Sequence, residues 1–256
     1  MTRSSKKTES LYVIIPAAGQ GRRMGGTTKK QFLPVGGVPV LARTLLASSS
    51  FERKMNEKLS FRIRCIVVTA EENLPEVQWL CEEFTPGLVE KTVAGGPTRR
   101  DSVWNGIKAL SSLSVPPCSD DIVFIHDGAR CLVDEGTLLR CLEGARQFGV
   151  CAAAVAVKDT IKQADAPVNG KVIATPDRTS LFAIQTPQAF RMEDLYHSYA
   201  EGIEKNRAAT DDTSLAEACG LPVHLVEGSY TNIKITTPED LLLADVLQSF
   251  RTDGEL

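Results

Sequence analysis

Residues 11–15, L-Y-V-I-I, leave no solvent-facing side in a two-residue repeat, so the strand they predict must be covered on both faces. It ends at Pro16 in a glycine-rich loop, A-A-G-Q-G-R-R-M-G-G, which goes on to deliver Arg22, Arg23, Lys29 and Lys30. Between Ser10 and Phe51 there is no Asp or Glu, although the 256-residue chain carries a formal net charge of -3. A cationic, glycine-rich loop at the carboxyl end of a central strand suits a polyphosphate. Backbone N–H groups approach the anion where there is no Cβ, and the side chains supply charge.

Strand and helix patterns then alternate. A helix is predicted over residues 39–49, a strand over 62–70, a helix over 75–84 and a strand over 88–94. Thr98 opens a T-x-x-D cap ahead of Val103, Ile107, Leu110 and Leu113, which share one helical face. A buried strand over 121–126, a helix marked by Leu138, Leu142 and Ala145, and a strand over 151–157 follow. This order predicts an α/β chain: a Rossmann-like, mostly parallel, twisted sheet with helices on both sides, joined by right-handed crossovers. The pattern breaks at residues 160–176, where Asn169-Gly170 separates two short β-prone runs, a hairpin signal. An isolated hairpin is marginal in water, so this arm, residues 158–183, docks either on a partner subunit, the preferred answer, or on its own domain. Helices over 192–206 and 212–219, strands over 223–227 and 231–235, and a helix begun at Thr237-Pro238 complete the pattern. One domain, residues 11–250, is expected after a disordered tail, residues 1–10.

Composition narrows the class. The acidic balance, with a dense basic cluster confined to one loop, argues against a nucleic-acid binder. No apolar stretch reaches the roughly 18 residues of a membrane span, and the polar start lacks the apolar core of a secretory signal. Seven scattered cysteines without C-x-x-C, beside three histidines, predict no zinc site and fit a reducing, cytoplasmic setting.

Three familiar phosphate-binding or nucleophile signatures are absent or broken. There is no G-x-x-x-x-G-K-[ST]. The G-x-G at Gly19 and Gly21 is followed by Met24 in place of the third glycine, and no acid comes before Glu52. No G-x-S-x-G marks a nucleophile. What remains is a set of cations, hydroxyls and one acidic turn at expected strand ends: G-G-P-T-R-R-D-S at 95–102, H-D-G-A-R at 126–130, Asp159-Thr160, Asp177-Arg178, Q-T-P-Q at 185–188, T-D-D at 210–212, and Lys234 within T-N-I-K-I-T-T.

Taken in order, P-A-A-G-Q-G-R-R-M, K-Q-F, G-G-P-T-R-R-D-S-V, H-D-G-A-R, D-T-I-K, D-R-T-S-L-F-A-I-Q-T-P-Q, T-D-D and N-I-K-I-T-T-P-E-D-L resemble the 2-C-methyl-D-erythritol 4-phosphate cytidylyltransferases of the non-mevalonate isoprenoid pathway. The likeness runs from about Tyr12 to Leu247. It implies a nucleotidyltransferase fold, a homodimer that exchanges the arm, and a reaction joining CTP to methylerythritol phosphate with Mg²⁺ and release of pyrophosphate. It further implies that Arg23 and Lys30 stabilise charge on the triphosphate. Ala17, Ala18, Gly19, Gly96 and Ser102 would form the nucleotide pocket. Asp127, Arg130, Thr160, Thr186 and Thr210 would line the acceptor side. Lys234, with Arg178 from the other subunit, would position the attacking phosphate. Whether the metal meets a side chain or only phosphates and water stays open, with Asp127 the best candidate. Lys29 stands where the family often has proline, leaving Lys29 and Lys30 both open for the phosphate. Gly128, Cys131 and Phe182 replace a common alanine, proline and tryptophan.

The chemistry suits such an inventory. A phosphate monoester has a second pKa of about 6 and is already largely dianionic at neutral pH. No general base is needed, and catalysis reduces to positioning and charge neutralisation. Two other readings stay open: a cytidylyltransferase for another polyol phosphate such as ribitol 5-phosphate, and a nucleotide sensor that binds CTP without turnover.

Overall fold

The computed structural model describes residues 8–19 and 29–252. A seven-stranded sheet forms its centre. Along one half, β1 (Glu9–Pro16) pairs in parallel with β4 (Phe61–Thr69), which pairs in parallel with β5 (Val89–Ala94). Along the other, β1 pairs in parallel with β6 (Ile122–Ile125). Beyond β6 lie β10 (Phe182–Arg191), β7 (Val150–Ala156) and the edge strand β11 (His224–Glu227). A small hairpin of β2 (Pro34–Val35) and β3 (Val38–Pro39) precedes α1 (Val40–Asn56).

The period-two pattern of β1 sorts its side chains between two cores. Leu11, Val13 and Ile15 pack with Leu41, Leu45 and Phe51 of α1, Val77 and Leu80 of α2 (Leu74–Phe84), and Leu138 and Leu142 of α4 (Glu135–Phe148). Tyr12 and Ile14 pack on the opposite face with Val103, Ile107 and Leu110 of α3 (Arg99–Ser111), Leu195 and Tyr199 of α5 (Met192–Glu204), and Leu215 of α6 (Thr213–Ala218). Each of these β1 side chains is at most 2% exposed, as a strand without a polar side requires. A smaller cluster joins Val35, Val40, Leu132 and Ile235 to Ala244 of α7 (Pro238–Thr252).

Chain order runs outward from β1 through β4 to β5, then returns across β1 to β6. The reversal leaves the loops after β1, β5 and β6 on one rim, where open α/β sheets bind ligands. Most expected elements lie within a residue or two of their forecast boundaries, while α1 runs on to Asn56.

Three expectations need correction. Glu9 and Ser10 are not tail: they pair with Phe61 and Arg62 in the first rungs of the sheet. No strand forms over 231–235. The segment is held singly, by Ile235 N–H on the Ala129 carbonyl (2.9 Å) and by the buried Asn232 side chain on the Thr186 carbonyl (2.9 Å), so its alternating pattern has no ladder to join. An unpredicted strand, β10, sits between β6 and β7 and is antiparallel to both. Its pairing with β7 breaks between Ile184 and Gln188, and Pro187, which has no N–H to donate, falls in that break. The hairpin expected over residues 160–176 does form, with a connection longer than the Asn169-Gly170 pair. The arm pairs only β8 (Gln163–Ala164) with β9 (Val172–Ala174), and the connection is closed by Asp165 N–H on the Lys171 carbonyl, with Asn169 at φ +54.

Candidate active site

The rim described above encloses a cleft of about 580 Å³, lined by Pro16 to Gly19, Lys30, Gln31, Gly96 to Arg99, Ser102, Asp127 to Ala129, Lys234 and Thr236. Its first wall is the end of β1. Ala17 N–H bonds the Val68 carbonyl at 2.7 Å, carrying the strand pairing one residue past Pro16. The second wall is the start of α3. Thr98 caps that helix by accepting from Asp101 N–H (3.1 Å), as the T-x-x-D spacing predicts. Gly95 and Gly96 are dictated by space: a Cβ on Gly95 would stand 2.8 Å from the Ala18 Cβ, and one on Gly96 2.5 Å from the Asp101 Cβ. Ser102 is buried beneath them, and its hydroxyl accepts from Gly96 N–H (3.0 Å) while donating to the Thr98 carbonyl (2.9 Å).

The loop after β6 carries the acid. His126 N–H and Gly128 N–H bond the Ile14 and Pro16 carbonyls, pinning the loop to β1. The Asp127 carboxylate, nearly buried, faces three cations: Lys234 Nζ at 2.6 Å, Arg99 Nη2 at 3.4 Å and Arg130 Nε at 3.8 Å. Burial alone would raise its pKa, but Lys234, Arg99 and Arg130 overcome that and hold it well below the usual carboxylate range. The Arg130 guanidinium also donates to the Asn232 carbonyl at 2.7 Å, tying the loop to the segment that carries Lys234. Lys30, in a 3-10 turn at Lys30–Phe32, donates to the Ile235 carbonyl at 3.2 Å. The Lys30 side chain is therefore held on the segment that carries Lys234, and both lysines line the cleft.

Behind the cleft lies a buried network that the sequence did not announce. Arg99 makes a two-pronged contact with Asp212 (2.6 and 2.7 Å), and Asp212 also accepts from the Tyr199 hydroxyl. The Gln188 side-chain carbonyl accepts from the N–H groups of Asp212 and Thr213, both at 2.9 Å. Burial opposes the Arg99 charge, but Asp212 more than offsets it and keeps the guanidinium firmly protonated.

The candidates among the described residues divide into three groups. Ala17, Ala18, Gly19, Lys30, Gly96, Ser102, Asp127 and Lys234 all line the cleft. Arg130 and Thr186 lie behind it, Arg130 against Asp127 and Thr186 bonded to Asp127 N–H (3.0 Å). Thr160, Arg178 and Thr210 are exposed and do not line it; Arg178 donates to the Lys158 carbonyl at 3.0 Å. Arg22 and Arg23 lie outside the described residues. Lys29 is held elsewhere, by Glu72 (2.6 Å) and Asn73 (3.0 Å), so of the two lysines Lys30 is the one on the cleft. Gln31 and Arg99 were missed as lining residues. Arg99 stood in a quoted motif, but nothing local marks its partner.

Among the described residues the lining holds no histidine or cysteine, and its one carboxylate, Asp127, is already paired with Lys234. His126 is fully enclosed and burial pushes it down to about 4, while burial pushes the nearby Cys131 thiol up to about 11. A larger recess of about 750 Å³ lies between α1, the start of α4 and α7, and holds none of the candidate residues. Its Lys54 pairs with Glu135, and its Arg251 donates to the Leu132 carbonyl. Size alone is therefore a poor guide to the chemistry here.

The family model described as 2-C-methyl-D-erythritol 4-phosphate cytidylyltransferase matches residues 11–249. A cytidylyltransferase of that description from Synechococcus elongatus is 40% identical over 238 residues, covering 93% of this chain and 95% of its own. One from Syntrophotalea carbinolica is 42% identical over 240 residues, covering 92% and 94%. Among solved structures, the 4-diphosphocytidyl-2C-methyl-D-erythritol synthase of Anaerococcus prevotii is similar with a TM-score of 0.77 and 30% identity, covering 97% of this chain and all of that one.

Proposed function

This chain belongs to the 2-C-methyl-D-erythritol 4-phosphate cytidylyltransferase family, and from that premise we propose how its cleft carries out the family's reaction. It transfers the cytidylyl group of CTP to 2-C-methyl-D-erythritol 4-phosphate, giving CDP-methylerythritol and pyrophosphate, in non-mevalonate isoprenoid biosynthesis. The observation that carries the mechanism is that the Lys30 side chain is held on the backbone segment that carries Lys234, so both ammonium groups line one cleft with the glycine-rich backbone at Gly19 and Gly96.

The acceptor phosphate attacks the α-phosphorus, and the bond to the bridging oxygen of pyrophosphate breaks. No proton has to move from the nucleophile. The obstacle is repulsion between two anions, and fixed cations remove it. Lys30 and Arg23 take the triphosphate charge, while Lys234 holds the acceptor phosphate beside Asp127. Ala17 to Gly19 and Gly96 present backbone to the nucleotide, with Ser102 keeping the Gly96 turn closed. Asp127 and Thr186, with Arg130 behind them, fix the acceptor side.

Arg178 enters from a second copy. Its arm exposes Val168, Val172 and Ile173 at 75, 51 and 61%, apolar surface that a homodimer would cover. Thr160 lies on that same arm, and Thr210 completes the acceptor pocket from the turn before α6.

Mg²⁺ enters with the nucleotide. Asp127 is the one carboxylate on the described lining, and three cations already face it. That donor set fits an ion held mainly by phosphate oxygens and water. Its contribution is neutralisation of phosphate charge. Among the described residues the one group near enough to chelate a metal, His197, Glu201 and Cys219, lies off the cleft, with Lys205 and Arg207 on Glu201. No helix among the described residues is long and apolar enough to cross a membrane; a cytoplasmic setting is proposed separately, from the phosphorylated substrates.

Pyrophosphate release measured with CTP and each acceptor tests this reading. Methylerythritol phosphate should support turnover and ribitol 5-phosphate should not. Chelation should abolish the activity and added Mg²⁺ restore it. Tight CTP binding without turnover would instead indicate a sensor.

A further inference from the structure

The loop after β6 closes a ring of hydrogen bonds on itself through a buried imidazole. Asp127 N–H donates to Thr186 Oγ1 (3.0 Å); that hydroxyl lies 3.1 Å from His126 Nδ1; and His126 Nε2 lies 3.1 Å from the Arg130 carbonyl. The roles in this ring are forced. A backbone N–H only donates, so Thr186 oxygen is an acceptor there, and a carbonyl only accepts, so the imidazole proton sits on Nε2. A neutral ring then has its lone pair on Nδ1, which takes the Thr186 hydroxyl proton. Direction is consistent all the way round, from Asp127 N–H to the Arg130 carbonyl, and both ends belong to the same short loop.

We propose that His126 is a positioning residue of the transfer site: bridging Thr186 and the Arg130 carbonyl, it fixes where the loop presents the Asp127 carboxylate. The inference rests on the reading that Asp127 and Lys234 hold the acceptor phosphate. His126 and Thr186 are 2% and 4% exposed, so water does not substitute for a lost member, and each break strands a buried polar group. The consequence reaches Lys234 by two routes. Asp127 pairs with it directly, and the Arg130 guanidinium, whose backbone closes the ring, holds the Asn232 carbonyl two residues upstream. With both nitrogens engaged, the imidazole has no site left for taking a proton from substrate. It supports the acid and stands apart from the chemistry.

Two measurements test this. ¹⁵N NMR of the wild-type enzyme reads the tautomer without any turnover. The proton is expected on Nε2, and a proton on Nδ1 would overturn the proposal. Steady-state kinetics then separate the two links. His126→Asn keeps an acceptor near Thr186 but cannot reach the Arg130 carbonyl. His126→Gln reaches that carbonyl but loses the acceptor, and His126→Leu keeps neither. Each single-link variant is expected to raise KM for methylerythritol phosphate about tenfold with KM for CTP nearly unchanged, and His126→Leu to raise it further. Equal rises in both KM values, or a fall in kcat alone, would overturn it. Failure of the wild type to release pyrophosphate would instead remove the reading on which the proposal rests.

Discussion

The cleft and the arm solve opposite problems. At the cleft, every charged group among the described residues is held: Asp127 by Lys234 and Arg99, Arg99 by Asp212, Lys30 by the Ile235 carbonyl. On the arm, Arg178 and the apolar residues around β8 and β9 are exposed, and few contacts tie them to the sheet. Preorganised charge has to be built on rigid elements, because reorienting it during reaction would forfeit much of its effect. A residue delivered from a second copy has to be free to dock. Under the proposed function, the contrast would divide the labour between triphosphate charges fixed within the chain and an acceptor clamp completed from a second copy.

The most severe test of the fixed side is Lys30→Ala. Loss of one preorganised cation should lower kcat by roughly 10²–10³ with a smaller change in either KM. Near-normal kcat would remove Lys30 from the mechanism. Next comes the scaffold behind it. Asp212→Ala strands the Arg99 charge, and breaking such a pair should cost about 3 kcal/mol, the low end of the range because Arg99 keeps a third of its side chain in water. Urea titration reads that loss, and an unchanged midpoint would mean the network carries no stability.

The arm is tested by complementation. Arg178→Ala and Lys30→Ala subunits, mixed and allowed to exchange, form heterodimers with one intact cleft each. Random pairing should return about a quarter of wild-type activity. No recovery in proven heterodimers would put the whole site within one chain. The smallest effect sharpens the comparison between neighbouring lysines. Lys29→Ala breaks an exposed pair with Glu72 and should change kcat by less than about threefold. A loss as large as that of Lys30→Ala would merge their roles.

How legible this was in the sequence depended on whether the information was local. β1, β6, β7 and the second half of β4 could be read because strands buried on both faces show as unbroken apolar runs. The loops at their ends could be read because glycine and charge mark them. β10 could not, since Pro187 argues against an interior strand unless the register break that accommodates it is known. Residues 231–235 alternate like a strand, yet their backbone bonds and Asn232 serve separate carbonyls. The bond from Arg99 to Asp212 spans 113 residues, and no periodicity encodes such a meeting. His126 was visible beside Asp127, but its role depends on Thr186, sixty residues away, and only the fold brings the two together.

The account stands on transfer driven by fixed charge without a proton-abstracting group. The dependence of kcat/KM for methylerythritol phosphate on pH, at saturating CTP and Mg²⁺, tests that directly. The rate should rise once, following the second ionisation of the acceptor phosphate near pH 6, and then level off. A further ionisation near neutrality that vanishes on replacing a single side chain would reveal a base and contradict it.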